Sequence, residues 1–97
     1  MKKFSFYSMV REGGKNIAKL HDGYTDGTYN YYKKDSSWHA IHPANGLSIC
    51  CAHTRKAAAE AAHAPHMLER IAAALERQPE AVTRFIDARM AAKGATA

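Results

Sequence analysis

The sequence is poor in cysteine and has no long apolar stretch. Its two cysteines, Cys50 and Cys51, are adjacent, and neighbours on a strand point to opposite faces, so a disulfide between them would be strained. We therefore expect a reduced, cytoplasmic chain. A membrane span needs about 18 consecutive apolar residues, and no run here reaches that length. Ser5, Ser8 and Arg11 interrupt the apolar run that a signal peptide needs, so we expect no membrane partner.

Acidic residues are also scarce. The chain has 9 Asp and Glu against 14 Lys and Arg, which gives a formal net charge of +5 and a pI near 9.4. The hydrophobic fraction of 46% is that of an ordinary folded protein rather than a disordered one. A chain of 97 residues has room for a single domain. A basic domain of this size favours an anionic partner such as nucleic acid.

Residue types divide the chain near Thr54. All the tyrosines and the tryptophan precede it, and alanine-rich segments follow it. We predict that residues 1–97 form one α+β domain, mainly β over 1–53 and mainly α over 54–94. The expected architecture is an N-terminal antiparallel sheet of three to four strands packed against two to three C-terminal helices.

Strand-forming residues and turn signals place the predicted strands. Turns are expected at Asp22-Gly23 and at Asp26-Gly27. Residues 15–20 fit either a short strand or a helical turn. The other predicted strands are 4–10, 28–33, 38–42 and 47–52.

Asn45-Gly46 lies between two apolar runs, which predicts a hairpin that joins strands 38–42 and 47–52. A loop of two or four residues assigns one set of side chains to the core and the other set to the opposite face. The expected core set is Trp38, Ala40, Leu47, Ile49 and Cys51. The opposite set is His39, Ile41, Ser48 and Cys50, and a four-residue loop places His39 directly across from Cys50.

Three helices are predicted in the second half of the chain. Thr54 is a suitable N-cap for the first, over 55–64, whose alanines allow close packing against a sheet. Pro65 and Pro79 suit the first turns of the next two, and Gly94 is a plausible end. The last helix carries an apolar stripe, and its exposure would favour a homodimer through this helix. The stripe contains Val82, Phe85, Ile86 and Met90.

Histidine and cysteine occur in three pairs with one spacing, His39/His42, Cys50/His53 and His63/His66. Local pairs of this kind are typical of zinc sites, because one turn of chain can direct two ligands at one ion. Zinc is the only cofactor that the residues suggest. The predicted ligands are His39, Cys50, His53, His63 and His66. In the alternative interpretation these histidines lie on a half-exposed sheet and the cysteines act as small apolar side chains.

Basic and aromatic side chains occur together on the predicted sheet and at the start of the first helix. Such a surface can stack on bases and neutralise phosphates. The predicted contact residues are Tyr29, Tyr31, Lys33, Lys34, Trp38, His39, Arg55 and Lys56. In the alternative interpretation the tyrosines pack within the domain.

A Trp-led strand, the Gly46 turn, a second strand and the helix opening Thr54-Arg55-Lys56 follow one another in residues 37–62. This segment resembles the small three-stranded-sheet-plus-helix DNA-binding modules at the start of many phage-type integrases. Those modules usually carry more Arg and Lys on the strands, and no recombinase catalytic part follows here. The resemblance implies DNA contacts in this chain, through Lys33, Lys34, Trp38, His39, Arg55 and Lys56.

Catalytic patterns are weak. No Gly-rich loop precedes a helix, and a Cys50–His39 nucleophile pair would lack a third, orienting group. We predict a small non-catalytic protein that binds nucleic acid or a nucleoprotein surface through a Tyr/Lys-bearing sheet face left open by the helices. One alternative is a protein-binding inhibitor of a host nucleic-acid-binding effector, similar in type to phage accessory proteins such as anti-CRISPR proteins. The second alternative is a small structural zinc-binding domain.

Overall fold

This computed structural model describes residues 1–96 and has an α+β fold. Five strands form one antiparallel sheet in the order of the chain, and three helices follow. The prediction of three to four strands is at least one too few, because the segment left open around 15–20 is a full strand. The elements are β1 (Lys2–Glu12), β2 (Lys15–Thr25), β3 (Asn30–Lys34), β4 (Ser37–Ile41), β5 (Ser48–Ala52), α1 (Arg55–Ala62), α2 (Pro65–Arg77) and α3 (Glu80–Thr96).

β1 and β2 form a long hairpin that pairs from Lys2–Thr25 to Glu12–Lys15. The predicted turn at Asp22-Gly23 is wrong, since both residues lie within β2. Gly23 is needed there for a different reason. A Cβ on it would collide with the Tyr31 carbonyl oxygen and the Phe6 ring, so glycine allows close approach of neighbouring backbone.

The predicted facing of the β4–β5 hairpin is wrong for its cysteines. Ile41 pairs with Ser48 but Ala40 pairs with Cys50, so the register shifts at this point. The shift reverses the facing of the residues that follow Ile49. Cys50 therefore shares the helix-bearing face with Ala40, and Cys51 lies across from His39. Ile49 still packs against the predicted core, whereas Leu47 is 42% exposed.

α1 covers one face of the sheet as predicted. The Thr54 side chain accepts a hydrogen bond from the Ala57 amide and caps the helix. Ala58 and Ala62 are fully buried against Tyr31 and Ala40. Their small side chains bring the helix close to the strands, so this core contains little besides one large aromatic ring and several methyl groups.

The opposite face is covered by the sheet itself. Phe6, Tyr32 and Ile41 form a second buried cluster. The Met9 amide donates a 2.8 Å hydrogen bond to the Gly46 carbonyl, which joins β1 to the β4–β5 loop. Such contact between the first strand and a distant loop requires a strongly coiled sheet. The sheet face that we expected to be open is consequently closed around β3 and β4.

The two later helices begin where the prolines predict. Pro65 occupies the first turn of α2, and α3 begins directly after Pro79. Gly94 does not end α3, which continues to Thr96. α3 packs on β2 and β1, and the Phe85 ring is 1% exposed beside Gly46, where no Cβ could fit.

Candidate nucleic-acid interface

Six basic and aromatic side chains form one surface beside the start of α1, on the helix-bearing face of the sheet. We name this surface the cation–aromatic patch. Strand pairing builds most of it: Lys3 pairs with Tyr24, and Lys33 pairs with Trp38. Paired residues of antiparallel strands point to the same face. The patch consists of Lys3, Tyr24, Lys33, Trp38 and Arg55, together with Lys56, which is included because it follows Arg55 in the first turn of α1.

Arg55 lies at the centre of the patch. Its guanidinium carbon is 3.8 Å from the centroid of the Tyr24 ring and 5.7 Å from that of Trp38. The two ring centroids are 6.0 Å apart, and the rings are inclined at 56°. Arg55 is the first residue of α1, so the capped helix start fixes its backbone against the strands. The cation–π contacts hold the guanidinium without neutralising its charge.

The cations of the patch are exposed or half-exposed and take part in no ion pair within the described residues. Lys3, Lys33 and Lys56 are the exposed cations. The first turn of α1 has no acidic residue. Asp22 adjoins the patch through β2, where its carboxylate accepts a hydrogen bond from the Ser5 hydroxyl.

The structure assembles half of the predicted contact residues. Lys33, Trp38, Arg55 and Lys56 lie in the patch, whereas Lys34 and His39 belong to the opposite face of the sheet. Two tyrosines of the predicted set are buried: Tyr29 is 4% exposed and Tyr31 is 0% exposed. Neither ring is available to stack on a base.

Lys3 and Tyr24 are not among the predicted contact residues. Their membership of the patch depends on the pairing of β1 with β2. The prediction placed Tyr24 between two turns, at Asp22-Gly23 and Asp26-Gly27, and assigned it to no strand. A correct assignment of β2 as a strand would have placed Tyr24 beside Tyr31, its partner on β3.

A second group of aromatic rings lies on the opposite face. The Tyr32 ring is sandwiched between His21, at 3.9 Å between centroids, and His39, at 5.5 Å. The Ser8 hydroxyl lies 2.7 Å from Nε2 of His21. Burial lowers the pKa of His21, and the charges of Lys19 and Lys34 lower it further. Because Ser8 is 1% exposed, this serine–histidine pair is closed to a substrate, and we interpret it as structural.

Asp26 joins the β2–β3 turn to the α1–α2 junction. Its carboxylate accepts hydrogen bonds from the Thr28 and Tyr29 amides and from the Tyr31 hydroxyl, and it lies 2.8 Å from Nε2 of His63. Burial alone would raise the pKa of Asp26. These hydrogen bonds outweigh burial and hold that pKa far below its ordinary value.

The predicted zinc ligands are dispersed. His39 and Cys50 lie on opposite faces of the sheet, and His63 is held by Asp26. His53 follows β5, and His66 lies in α2. Within residues 1–96 no three His, Cys, Asp or Glu side chains are placed to hold a metal ion. Because Cys50 and His39 lie on opposite faces of the sheet, they do not form the nucleophile pair considered above. Zinc binding stays a prediction that elemental analysis of untagged protein can test.

The apolar stripe of α3 is divided between the core and the surface. Phe85 is 1% exposed, whereas Ile86 is 41% and Met90 66% exposed. Phe85 therefore anchors α3 to its own chain and is not available to a partner. A homodimer through Ile86 and Met90 stays a prediction that light scattering can test.

Compared with known proteins, the chain matches no family model, no curated protein and no solved structure. None of the helices in the described residues is both long and apolar enough to cross a bilayer.

Proposed function

We propose that this protein binds nucleic acid through the cation–aromatic patch, as a small non-catalytic cytoplasmic module. The observation that carries the proposal is the position of the Arg55 guanidinium, which lies against the Tyr24 ring and beside the Trp38 ring. This arrangement holds an unpaired cation beside two aromatic rings that are half-exposed. Recognition of a phosphate needs an unpaired cation, and stacking of bases needs an accessible aromatic ring.

Each patch residue has a distinct role in this proposal. Lys3, Lys33 and Lys56 neutralise backbone phosphates, and Arg55 contacts a phosphate or stacks on a base while Tyr24 supports it. Trp38 provides an aromatic surface for a base. None of these contacts reads the edge of a base, so we expect weak sequence preference. With four cations engaged, the logarithm of affinity for single strands should fall with the logarithm of salt with a slope of about 3.

The direct test is a titration of labelled single-stranded and duplex DNA and RNA at two salt concentrations. Trp38 is the only tryptophan, so quenching of its fluorescence reports contact with the patch itself. Lys33→Glu should weaken binding by about tenfold, because it replaces a phosphate contact by a repulsive charge. Trp38→Phe should retain binding and lose the fluorescence signal.

Lys15→Glu is the matched control, since it changes the net charge of the protein by the same amount. Lys15 lies at the far end of the β1–β2 hairpin, nine residue pairs from the Lys3–Tyr24 pair and hence about 30 Å away. The Lys15→Glu variant should bind nucleic acid almost as well as the unaltered protein. Equal weakening by Lys15→Glu and Lys33→Glu would reduce the interaction to general charge attraction. No salt-dependent affinity at low ionic strength would reject the proposal.

A further inference from the structure

α2 is amphipathic but incompletely covered by the domain. Its apolar side chains recur at the spacing of one helix face, yet none of its residues is fully buried. Ile71 is the residue of this face that packs against the core formed by Tyr31, Ala58 and their neighbours, whereas Leu68 is 46% exposed. A helix of 13 residues with such a pattern usually buries its apolar face.

An open groove of about 540 Å³ runs between α2 and the β4–β5 hairpin. Apolar side chains form its floor: Ile49 and Leu47 come from the hairpin side, and Met67, Ile71 and Ala74 come from α2. Arg70 and Arg77 line its rim. No acidic residue and no Phe, Tyr or Trp is among the described residues that line it.

The two arginines give the groove a directional charge pattern. They are seven residues apart on α2, which places them on the same side of the helix about 10 Å apart along its axis. Both are exposed, and neither takes part in an ion pair within residues 1–96. A ligand that satisfied both arginines would therefore need two negative groups at a matching separation.

We propose that this groove binds an acidic amphipathic helix of a partner protein. Apolar side chains of the partner would lie on Ile49 and Ile71, and two of its carboxylates, seven residues apart, would meet Arg70 and Arg77 as bidentate pairs. A fatty acid has one carboxylate and would use one arginine. Nucleic acid would find phosphate partners, but among the described lining residues the imidazole of His42 is the only aromatic ring that could stack on a base. An acidic helix is the occupant that uses both the charges and the apolar floor.

This site shares no residue with the cation–aromatic patch, so the inference is independent of the proposed nucleic-acid function. Together, two such surfaces would suit a protein that engages nucleoprotein complexes. The two proposals can also fail separately, because each has its own variants.

The test uses the full chain and a fluorescein-labelled designed peptide. The peptide is an 18-residue helix with leucines on one face and glutamates at the flanking positions seven residues apart, and binding is followed by fluorescence anisotropy. We expect saturable binding, and we expect Arg70→Glu with Arg77→Glu to weaken it by at least about tenfold, equivalent to about 1.4 kcal/mol. Ala74→Trp, which fills the groove from an exposed position, should also weaken it.

Arg11→Glu and a lysine version of the peptide are the controls. Arg11 is exposed on β1, outside both proposed sites, so its reversal should leave peptide affinity within about twofold. The lysine peptide should not bind. Amide shifts in a ¹⁵N spectrum should centre on Ile49, Ile71 and Ala74. The proposal would be overturned by equal binding of both peptides, by no binding, or by amide shifts centred on Trp38. Displacement of the labelled peptide by an oligonucleotide but not by unlabelled peptide would also overturn it.

Discussion

Nε2 of His63 lies 2.8 Å from Oδ2 of Asp26, although 37 residues separate the two in the chain. The same oxygen accepts a 2.6 Å hydrogen bond from the Tyr31 hydroxyl. One carboxylate thus connects the β2–β3 turn, the centre of the sheet and the end of α1. This connection fixes α1 over the sheet, and therefore fixes Arg55 at the other end of α1 beside Tyr24.

Asp26→Asn should destabilise the domain. The amide has no charge, so the charge-assisted hydrogen bonds with Tyr31 and His63 are lost, and hydrogen bonds to a charged group contribute about 1.5–3 kcal/mol. Urea denaturation measures the loss. Asp22→Asn is the matched control, since Asp22 accepts an exposed hydrogen bond from Ser5 and should change stability by less than about 0.5 kcal/mol. Equal effects of the two substitutions would contradict the anchoring role of Asp26.

Acid should weaken the Asp26 anchor. The pKa of Asp26 is lower in the folded protein than in the unfolded chain, so its contribution is complete above the unfolded pKa, near 4. That contribution declines as the pH falls below this value. The free-energy difference between the unaltered protein and Asp26→Asn should consequently be largest near pH 6 and shrink toward pH 2. A difference that is constant across this range would exclude an ionised carboxylate as its cause.

His21 should make the domain less stable in mild acid. Its pKa is lowered in the folded state, first by burial and then by Lys19 and Lys34. Stability is therefore greatest above the unfolded pKa of about 6.5 and falls as the pH drops through the folded value. His42 shifts in the same direction, through burial. We expect a lower Tm at pH 5 than at pH 7.5.

His21→Gln should flatten this pH dependence, because glutamine can still hydrogen-bond Ser8 but cannot gain a charge. His66→Gln, at an exposed position of α2, is the control and should leave the pH dependence intact. The comparison rests on the change of Tm with pH, so a general loss of stability in either variant does not affect it. A slope unaltered by His21→Gln would show that other groups cause the acid sensitivity.

The parts of the fold that could be predicted depend on local signals. Thr54, Pro65 and Pro79 fix helix starts through backbone chemistry within one turn, and all three predictions are confirmed. β2 could not be assigned in the same way. Gly23 is a turn former by local propensity, yet it lies inside a strand. Glycine is required at this position because Tyr31 and Phe6 leave no room for a side chain. That requirement exists only in the folded protein.

The candidate site was predictable to the same extent. Lys33, Trp38 and Arg55 follow from residue type and from neighbouring elements, whereas Tyr24 requires the pairing of β2 with β1 and β3. Which tyrosines are buried was not predictable either. Tyr31 and Tyr32 point to opposite faces, and both are buried because α1 covers one face and the coiled hairpin covers the other. The extent of coiling depends on the distant Met9–Gly46 contact.

Gly23→Ala should be strongly destabilising, and Gly94→Ala should not. A methyl group at position 23 meets a backbone carbonyl that cannot move without breaking the sheet, at a cost of about 1–3 kcal/mol or more. A methyl group at position 94 meets nothing within 4 Å on α3 and should stabilise by about 0.5–1 kcal/mol. Thermal denaturation of both variants tests this. Similar Tm values for the two variants would contradict the close approach of β2 to β3.

The adjacent thiols should differ sharply in reactivity. Cys51 is exposed, whereas Cys50 is half-buried and its thiol donates a 3.6 Å hydrogen bond to the Ala58 carbonyl of α1. Burial raises the pKa of Cys50, and neighbouring Cys51 raises it further, so fewer thiolates form at position 50. Reaction of single-cysteine variants with a chromogenic disulfide at pH 8 should be at least about tenfold faster for Cys50→Ala, which retains Cys51, than for Cys51→Ala. If the β4–β5 hairpin had the opposite facing, with Cys51 against α1, the order of the two reaction rates would be reversed. The measurement therefore tests the register shift after Ala40 directly.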